Sequence, residues 1–205
     1  LTNEIDWRIK CGARIIVSTP REDIGASMLI AEDLSPKVNV PVEVVPMEEL
    51  EKVLSTSNNG TIVTSRYFLQ PLEKVAKQHG VRAIAVDLSD FQKELKILKE
   101  LNTGSCVGIV SISPGLLRAA EVIIHSIRGN ELMLMTAISD NNSRLLSLLK
   151  VSNYIVCDGP SVSVVENTLL KNRSQLMRAP QIICAKNYLS IETINQLKKQ
   201  IGVIS

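Results

Sequence analysis

Short apolar runs alternate with segments of helical periodicity along almost the whole chain, and this rhythm constrains the fold most. Residues 14–19 read RIIVST, a buried strand stopped by Pro20, and residues 106–112 read CVGIVSI. Between such runs, apolar residues recur at helical spacing, as Phe68, Leu72 and Val75 do. Strands separated by helices of this length form right-handed βαβ units. The rhythm predicts an α/β fold of mostly parallel sheet.

The rhythm restarts after a polar break at residues 102–105, which read NTGS. We therefore predict two Rossmann-like α/β lobes, the first over residues 13–103 and the second over 104–205. Residues 1–10 read as a separate charged helix, with Ile5 and Trp7 among Glu, Asp, Arg and Lys. Because such a helix has no sheet to cover, Trp7 is expected to pack against the domain or another subunit.

Composition excludes several classes of protein. Of the 205 residues, 45% are hydrophobic and 21% are charged, which rules out a disordered or collagen-like chain. The net charge is only +2, so the composition does not indicate a basic face large enough to bind nucleic acid. Aromatic residues make up 3%, so the core must be aliphatic and a ligand stacked on aromatic rings is disfavoured. The chain contains no apolar run of about 18 residues, so no membrane span is predicted.

The four cysteines are spread along the chain without CxxC spacing, and no pair of histidines lies near them to complete a cluster of metal ligands. A zinc site needs clustered ligands, so no metal or other cofactor is expected. Reduced thiols are typical of a cytoplasmic protein. Cys157 and Cys184 lie late in successive strands and could form a redox pair if those strands are neighbours. Otherwise each packs as a small hydrophobic side chain.

Polar residues follow most of the predicted strands. In open parallel sheets, ligands bind outside the carboxyl ends of the strands, so these residues are the candidate ligand-binding set. The same residue types also cap helices, and that role is the alternative for each one. The candidates are Ser18, Thr19, Thr64, Ser65, Arg66, Ser113, Asp140, Asp158 and Ser161.

No catalytic motif is present. The chain lacks the GxSxG, HExxH and GxGxxG patterns as well as the GxxxxGK[ST] phosphate loop. His79 follows a predicted helix and His125 lies within one, positions that favour structural roles. We therefore assign no catalytic residue and do not expect an enzyme.

The placed segments RIIVST, TSRYFLQPLEKVAKQHG, RAIAVD and CVGIVSISPGLLRAAEVI together resemble the C-terminal domain of cyanobacterial GntR-type transcription regulators. In these regulators, the effector module is similar to a two-lobed periplasmic-binding protein. The resemblance implies a homodimer and an upstream winged-helix domain that binds DNA, with residues 1–12 as the linker helix. It also implies association with the complex of PII and PipX in nitrogen signalling.

Two modes of signal input remain open under this resemblance. A small molecule could bind between the lobes, or the cleft could be vestigial and the signal could come from a protein partner or cysteine oxidation. A small-molecule-binding protein of a transport system is the alternative function. The absence of a signal sequence and the unpaired cysteines speak against it.

Overall fold

The computed structural model describes residues 14–88 and 91–201. These residues form two compact units. Residues 14–88 and 187–201 belong to the first unit, and residues 91–186 form the second. The predicted linker helix over residues 1–12, with Ile5 and Trp7, lies outside the described residues.

The first unit contains a parallel sheet with the strand order β2-β1-β3-β4. Its strands are β1 (Ile15–Val17), β2 (Val42–Val44), β3 (Thr61–Ser65) and β4 (Arg82–Val86). Its helices are α1 (Ile24–Leu34), α2 (Met47–Thr56), α3 (Leu69–Gln78) and, from the end of the chain, α8 (Ile191–Ile201).

Both faces of this sheet are covered, which explains why its central strand is apolar without alternation. Ile15 and Val17 pack into one core cluster, which includes Ile194 and Leu197 of α8. Ile16 points the other way, into a cluster formed with α2 and α3. Helices on both faces are what the predicted βαβ connections require.

The second unit repeats this arrangement with the strand order β6-β5-β7-β8, again parallel throughout. Its strands are β5 (Cys106–Ser111), β6 (Met133–Ile138), β7 (Tyr154–Asp158) and β8 (Gln181–Ala185). Its helices are α4 (Gln92–Glu100), α5 (Pro114–Arg128), α6 (Asn142–Val151) and α7 (Gly159–Lys171). Two α/β units of parallel sheet confirm the predicted fold class.

Gly108, in the middle of β5, allows close packing of α6 against the sheet. A Cβ atom added there would lie 2.8 Å from Ile155 Cδ1 and would also overlap Leu148. Only a glycine lets α6 approach the central strand at this point.

The observed division differs from the predicted boundary at residues 103 and 104. Leu98 of α4 packs with Val107 and Leu117, so α4 covers the second sheet and not the first. Arg128 fixes this contact, because its Nη1 donates to the Leu98 carbonyl at 2.9 Å. The periodicity of a helix shows that it is amphipathic but not which sheet it covers.

The last helix also differs from the predicted division, because α8 belongs to the first unit and not to the second. Asp33, a buried residue of α1, binds the segment of chain that leads into α8. Its Oδ2 accepts hydrogen bonds from the backbone N–H groups of Tyr188 (3.0 Å) and Leu189 (2.7 Å). The first unit is therefore built from two separate parts of the chain, and the second is inserted between them.

Candidate functional site

Each sheet has one topological switch point, where successive connections leave in opposite directions. In the first unit it lies between β1 and β3, and in the second it lies between β5 and β7. Ligands of open α/β sheets bind outside the carboxyl ends of the strands at such points. Each unit therefore presents one candidate position.

Ser18 and Thr64 form the switch point of the first unit. Ser18 follows β1 and Thr64 lies in β3, each one residue after the register pair Val17 and Val63, and the Ser18 N–H donates to the Val63 carbonyl at 2.9 Å. Both residues are 0% exposed. Neither hydroxyl has a hydrogen-bond partner among the described residues. An unsatisfied buried hydroxyl costs about 1–3 kcal/mol, which a bound polar group would recover.

Thr19 is fully occupied within the protein, in contrast to Ser18. Its hydroxyl donates to the Asp23 carbonyl and lies 2.8 Å from the Ser27 hydroxyl oxygen. Thr19 therefore fixes the turn into α1, although it does not cap the helix, since no described side chain accepts a capping hydrogen bond there. Ser65 is buried beside Thr64 at the end of β3.

Arg66 carries the charge beside this switch point. Its Nε and Nη2 donate to the two carboxylate oxygens of Asp87, at 3.0 and 2.6 Å. This bidentate hydrogen bond lowers the pKa of Asp87, against the opposing effect of partial burial. The Arg66 side chain is 71% exposed. An ion pair this open can exchange Asp87 for the carboxylate of a ligand.

Asp158 organises the switch point of the second unit. Its Oδ1 accepts from the Ser161 N–H and caps α7, and its Oδ2 accepts from the Ile112 N–H, both at 2.9 Å. The carboxylate thus ties the end of β7 to the loop after β5. Ser113 caps α5, since its Oγ accepts from the Leu116 N–H at 3.0 Å. The capping alternative therefore describes the polar groups of Asp158 and Ser113.

Ser161 is the exception in this unit. It is 0% exposed, and its hydroxyl has no partner among the described residues. Asp140 lies apart from it, exposed, after the edge strand β6 and on the far side of β5 from β7. The structure thus brings Ser113, Asp158 and Ser161 together within this unit and leaves Asp140 at its edge.

Cys157 and Cys184 are register partners on the neighbouring strands β7 and β8. Adjacent strands lie about 4.7–4.9 Å apart, which is within the Cα separation of disulfides. The premise of the predicted redox pair is therefore met, and both residues carry thiols here. Burial, with a contribution from Cys184, raises the pKa of the Cys157 thiol to about 12. That thiol is a poor nucleophile at neutral pH.

A polar groove along the edge strand β6 has no counterpart in the sequence pattern. The Thr136 hydroxyl donates to Glu121 Oε1 at 2.9 Å, and Arg144 Nε donates to the Thr136 carbonyl at 2.6 Å. These groups come from α5, β6 and α6, and only the fold brings them together. Arg144 covers a backbone acceptor that the edge strand would otherwise expose.

In the described part of the chain, no three His, Cys, Asp or Glu side chains are grouped so that they could hold a metal ion. Among the same residues, no helix is long and apolar enough to cross a membrane.

Two Rossmann-like units with polar groups at their switch points define the class of two-unit α/β domains with parallel sheets. Within this class, residues 93–186 match the family model of the C-terminal domain of the cyanobacterial PlmA-type GntR regulators. The match confirms the resemblance to the C-terminal domain of a GntR-type regulator. It spans nearly the whole of the second unit, residues 91–186. The matched family is one of regulators.

Two solved structures are similar over most of the chain at low sequence identity. A transcription regulator-like protein from Staphylococcus haemolyticus is 12% identical, with a TM-score of 0.47, and the match covers 90% of this chain and 82% of that one. VinN, solved in complex with L-aspartate, is 12% identical with a TM-score of 0.32, and the match covers 94% and 61%. No curated protein matches the chain in sequence.

Proposed function

We propose that this chain is the signal-input and dimerisation domain of a GntR-type transcription regulator, and that it binds a small polar effector at the carboxyl ends of its strands. The family match supports the regulator assignment. The Ser18 and Thr64 hydroxyls, fully buried at the same switch point and without partners among the described residues, are the observation that supports effector binding. Ser161 supplies a third such hydroxyl in the second unit.

The surroundings of the first switch point restrict the chemistry of the effector. The two hydroxyls can donate to or accept from hydroxyl, amide or carboxylate groups. The open Arg66–Asp87 pair can accept a ligand carboxylate on Arg66 or a ligand amine on Asp87. The nearest aromatic residue in sequence, Tyr67, is 87% exposed, so it provides no enclosed stacking surface. These features favour a small aliphatic metabolite with an ionised group.

The wider context follows from the resemblance to PlmA-type regulators. We propose that two copies of this domain form a homodimer, and that DNA binding belongs to a winged-helix domain and not to these residues. Association with the PipX–PII complex is part of the same proposal, as is action in the cytoplasm. Effector binding would then change how the regulator engages DNA or its partner.

Removing the unsatisfied hydroxyls tests the effector site directly. Thr64→Val with Ser18→Ala deletes both groups at little change in volume. We expect this variant to unfold at the same or a higher temperature than the wild type, because no buried polar group is left unpaired. We also expect it to lose at least tenfold in affinity for any metabolite that stabilises the wild type in a thermal-shift screen.

Thr61→Val is the matched control, since Thr61 lies on the same strand at its opposite end. It should leave the metabolite response unchanged. If no amino acid, keto acid or other carboxylate metabolite raises the melting temperature of the wild type at millimolar concentration, the small-molecule mode is wrong. Input through a protein partner or through oxidation then remains.

A further inference from the structure

A surface at one end of the second unit combines exposed apolar side chains with cations that form no ion pair among the described residues. We call it the basic corner and define it by Val151, Leu170, Lys171, Arg173, Met177 and Arg178. It lies at the amino ends of β7 and β8, whereas the candidate effector positions lie at the carboxyl ends of the strands. Within the second unit it is therefore separate from the candidate effector position, and this inference does not depend on an effector.

The topology brings these residues together from separate segments. Both α6 and α7 connect parallel strands, so their last residues, Val151 and Lys171, return to the same end of the sheet. The two helices pack against each other. The Gln181 N–H donates to the Asn153 carbonyl at 2.9 Å, which places the segment before β8 beside the end of α6. Met177 and Arg178 belong to that segment.

The chain segment that supplies most of the basic corner carries charge of a single sign. No Asp or Glu occurs between Asn167 and Ile191, whereas Lys171, Arg173 and Arg178 all do. Within the described chain, none of these three cations forms an ion pair with a carboxylate. Their charges are therefore available to a partner.

Large apolar side chains lie among these cations. Met177 is 99% exposed, Leu170 is 70% exposed and Val151 is 50% exposed. A lysine in the last turn of a helix is explained by the helix dipole, and this accounts for Lys171. It does not account for Arg173 and Arg178, which lie beyond α7, or for a fully exposed methionine beside them. Exposed apolar groups rimmed by charge mark interaction surfaces.

We propose that the basic corner is the docking surface for an acidic segment of a partner protein, one that alternates carboxylates with aliphatic side chains. The carboxylates would pair with Arg173 and Arg178, and the aliphatic groups would cover Met177 and Leu170. Nucleic acid fits less well, because a phosphate backbone has no apolar surface to cover these side chains. A second copy docked corner to corner would bring like charges together.

A designed probe tests this without knowledge of the natural partner. We would use a fluorescent twelve-residue peptide of alternating Glu and Leu, and measure binding to the 205-residue chain by anisotropy. Micromolar to submillimolar binding is expected, weakened by raising NaCl from 50 to 300 mM. Arg173→Glu with Arg178→Glu should weaken binding about tenfold or more, since two attractions become repulsions. Leu170→Ser with Met177→Ser should also weaken it, with the salt dependence retained.

Lys52→Glu with Lys74→Glu is the matched control, because both lysines are exposed in the first unit and the net charge changes equally. This control should bind the peptide like the wild type. If both charge-reversal variants lost peptide affinity equally, the effect would come from net charge alone and the proposal would be overturned. Absence of binding at 1 mM peptide would also overturn it. So would tighter binding of a random-sequence DNA duplex, or self-association abolished by Arg173→Glu with Arg178→Glu.

Discussion

Asp33 connects the two separate parts of the first unit, and its replacement gives a sharp test of that arrangement. Its carboxylate accepts from two buried backbone N–H groups, those of Tyr188 and Leu189, and pairs with Lys37. Asp33→Ala leaves both N–H groups without an acceptor. At about 1–3 kcal/mol for each of the two unsatisfied groups, the first unit should lose about 2–6 kcal/mol of stability.

Two further variants separate the contributions at this position. Asp33→Asn keeps a side-chain oxygen for the backbone donors but loses the negative charge, so a loss of about 1–2 kcal/mol is expected. Lys37→Ala removes only the ion pair with Asp33, and about 1 kcal/mol or less is expected. If the loss of stability is largest for Asp33→Ala, smaller for Asp33→Asn and smallest for Lys37→Ala, most of the effect belongs to the backbone donors.

Urea unfolding gives the free energies, and hydrogen exchange measured by mass spectrometry locates them. Because the two units have separate cores, Asp33→Ala should speed exchange in β1, β3 and α8 and leave β5 and β7 protected. A stability within 0.5 kcal/mol of the wild type would refute the reasoning. Uniformly faster exchange in both units would show that they do not unfold separately.

Two other predictions concern the second unit. Gly108→Ala should lower the free energy of unfolding by about 1–3 kcal/mol, because the added methyl group overlaps Leu148 and Ile155. An unchanged urea midpoint would contradict this. Diamide, which takes up two thiol protons and two electrons, should join Cys157 to Cys184, and slowly, because the pKa of Cys157 is raised to about 12. Peptide mapping that finds both thiols still alkylatable after oxidation would exclude the pair, and Cys184→Ser is the control.

The elements of the fold were predictable because each strand is a short apolar run and each helix is amphipathic. The apolar run over residues 106–112 contains β5, which begins at the same residue, Cys106. The assignment of α4 and α8 to their sheets was not predictable, since an amphipathic helix can cover either one. The contacts that decide it, such as the Asp33 carboxylate on the Leu189 N–H, join residues far apart in sequence.

For the candidate site, the rule that ligands bind at the carboxyl ends of strands selected a region of the fold but did not separate the roles of the residues within it. Ser18 and Thr19 are adjacent in sequence and of similar chemistry. Only the structure shows that the Thr19 hydroxyl is occupied by Asp23 and Ser27, whereas the Ser18 hydroxyl has no described partner. Hydrogen-bond satisfaction depends on the distance between non-neighbouring groups, and residue type does not report it.

The insertion of the second unit into the first has a consequence for how the chain is made. A ribosome adds about 5–20 residues per second, so residues 91–186 take roughly 5–20 s to appear. Throughout that interval Ile15 and Val17 lack the cover that Ile194 and Leu197 later supply. The second unit can complete its core while the first still waits for α8. The nascent first unit is therefore the part of this protein most in need of a chaperone.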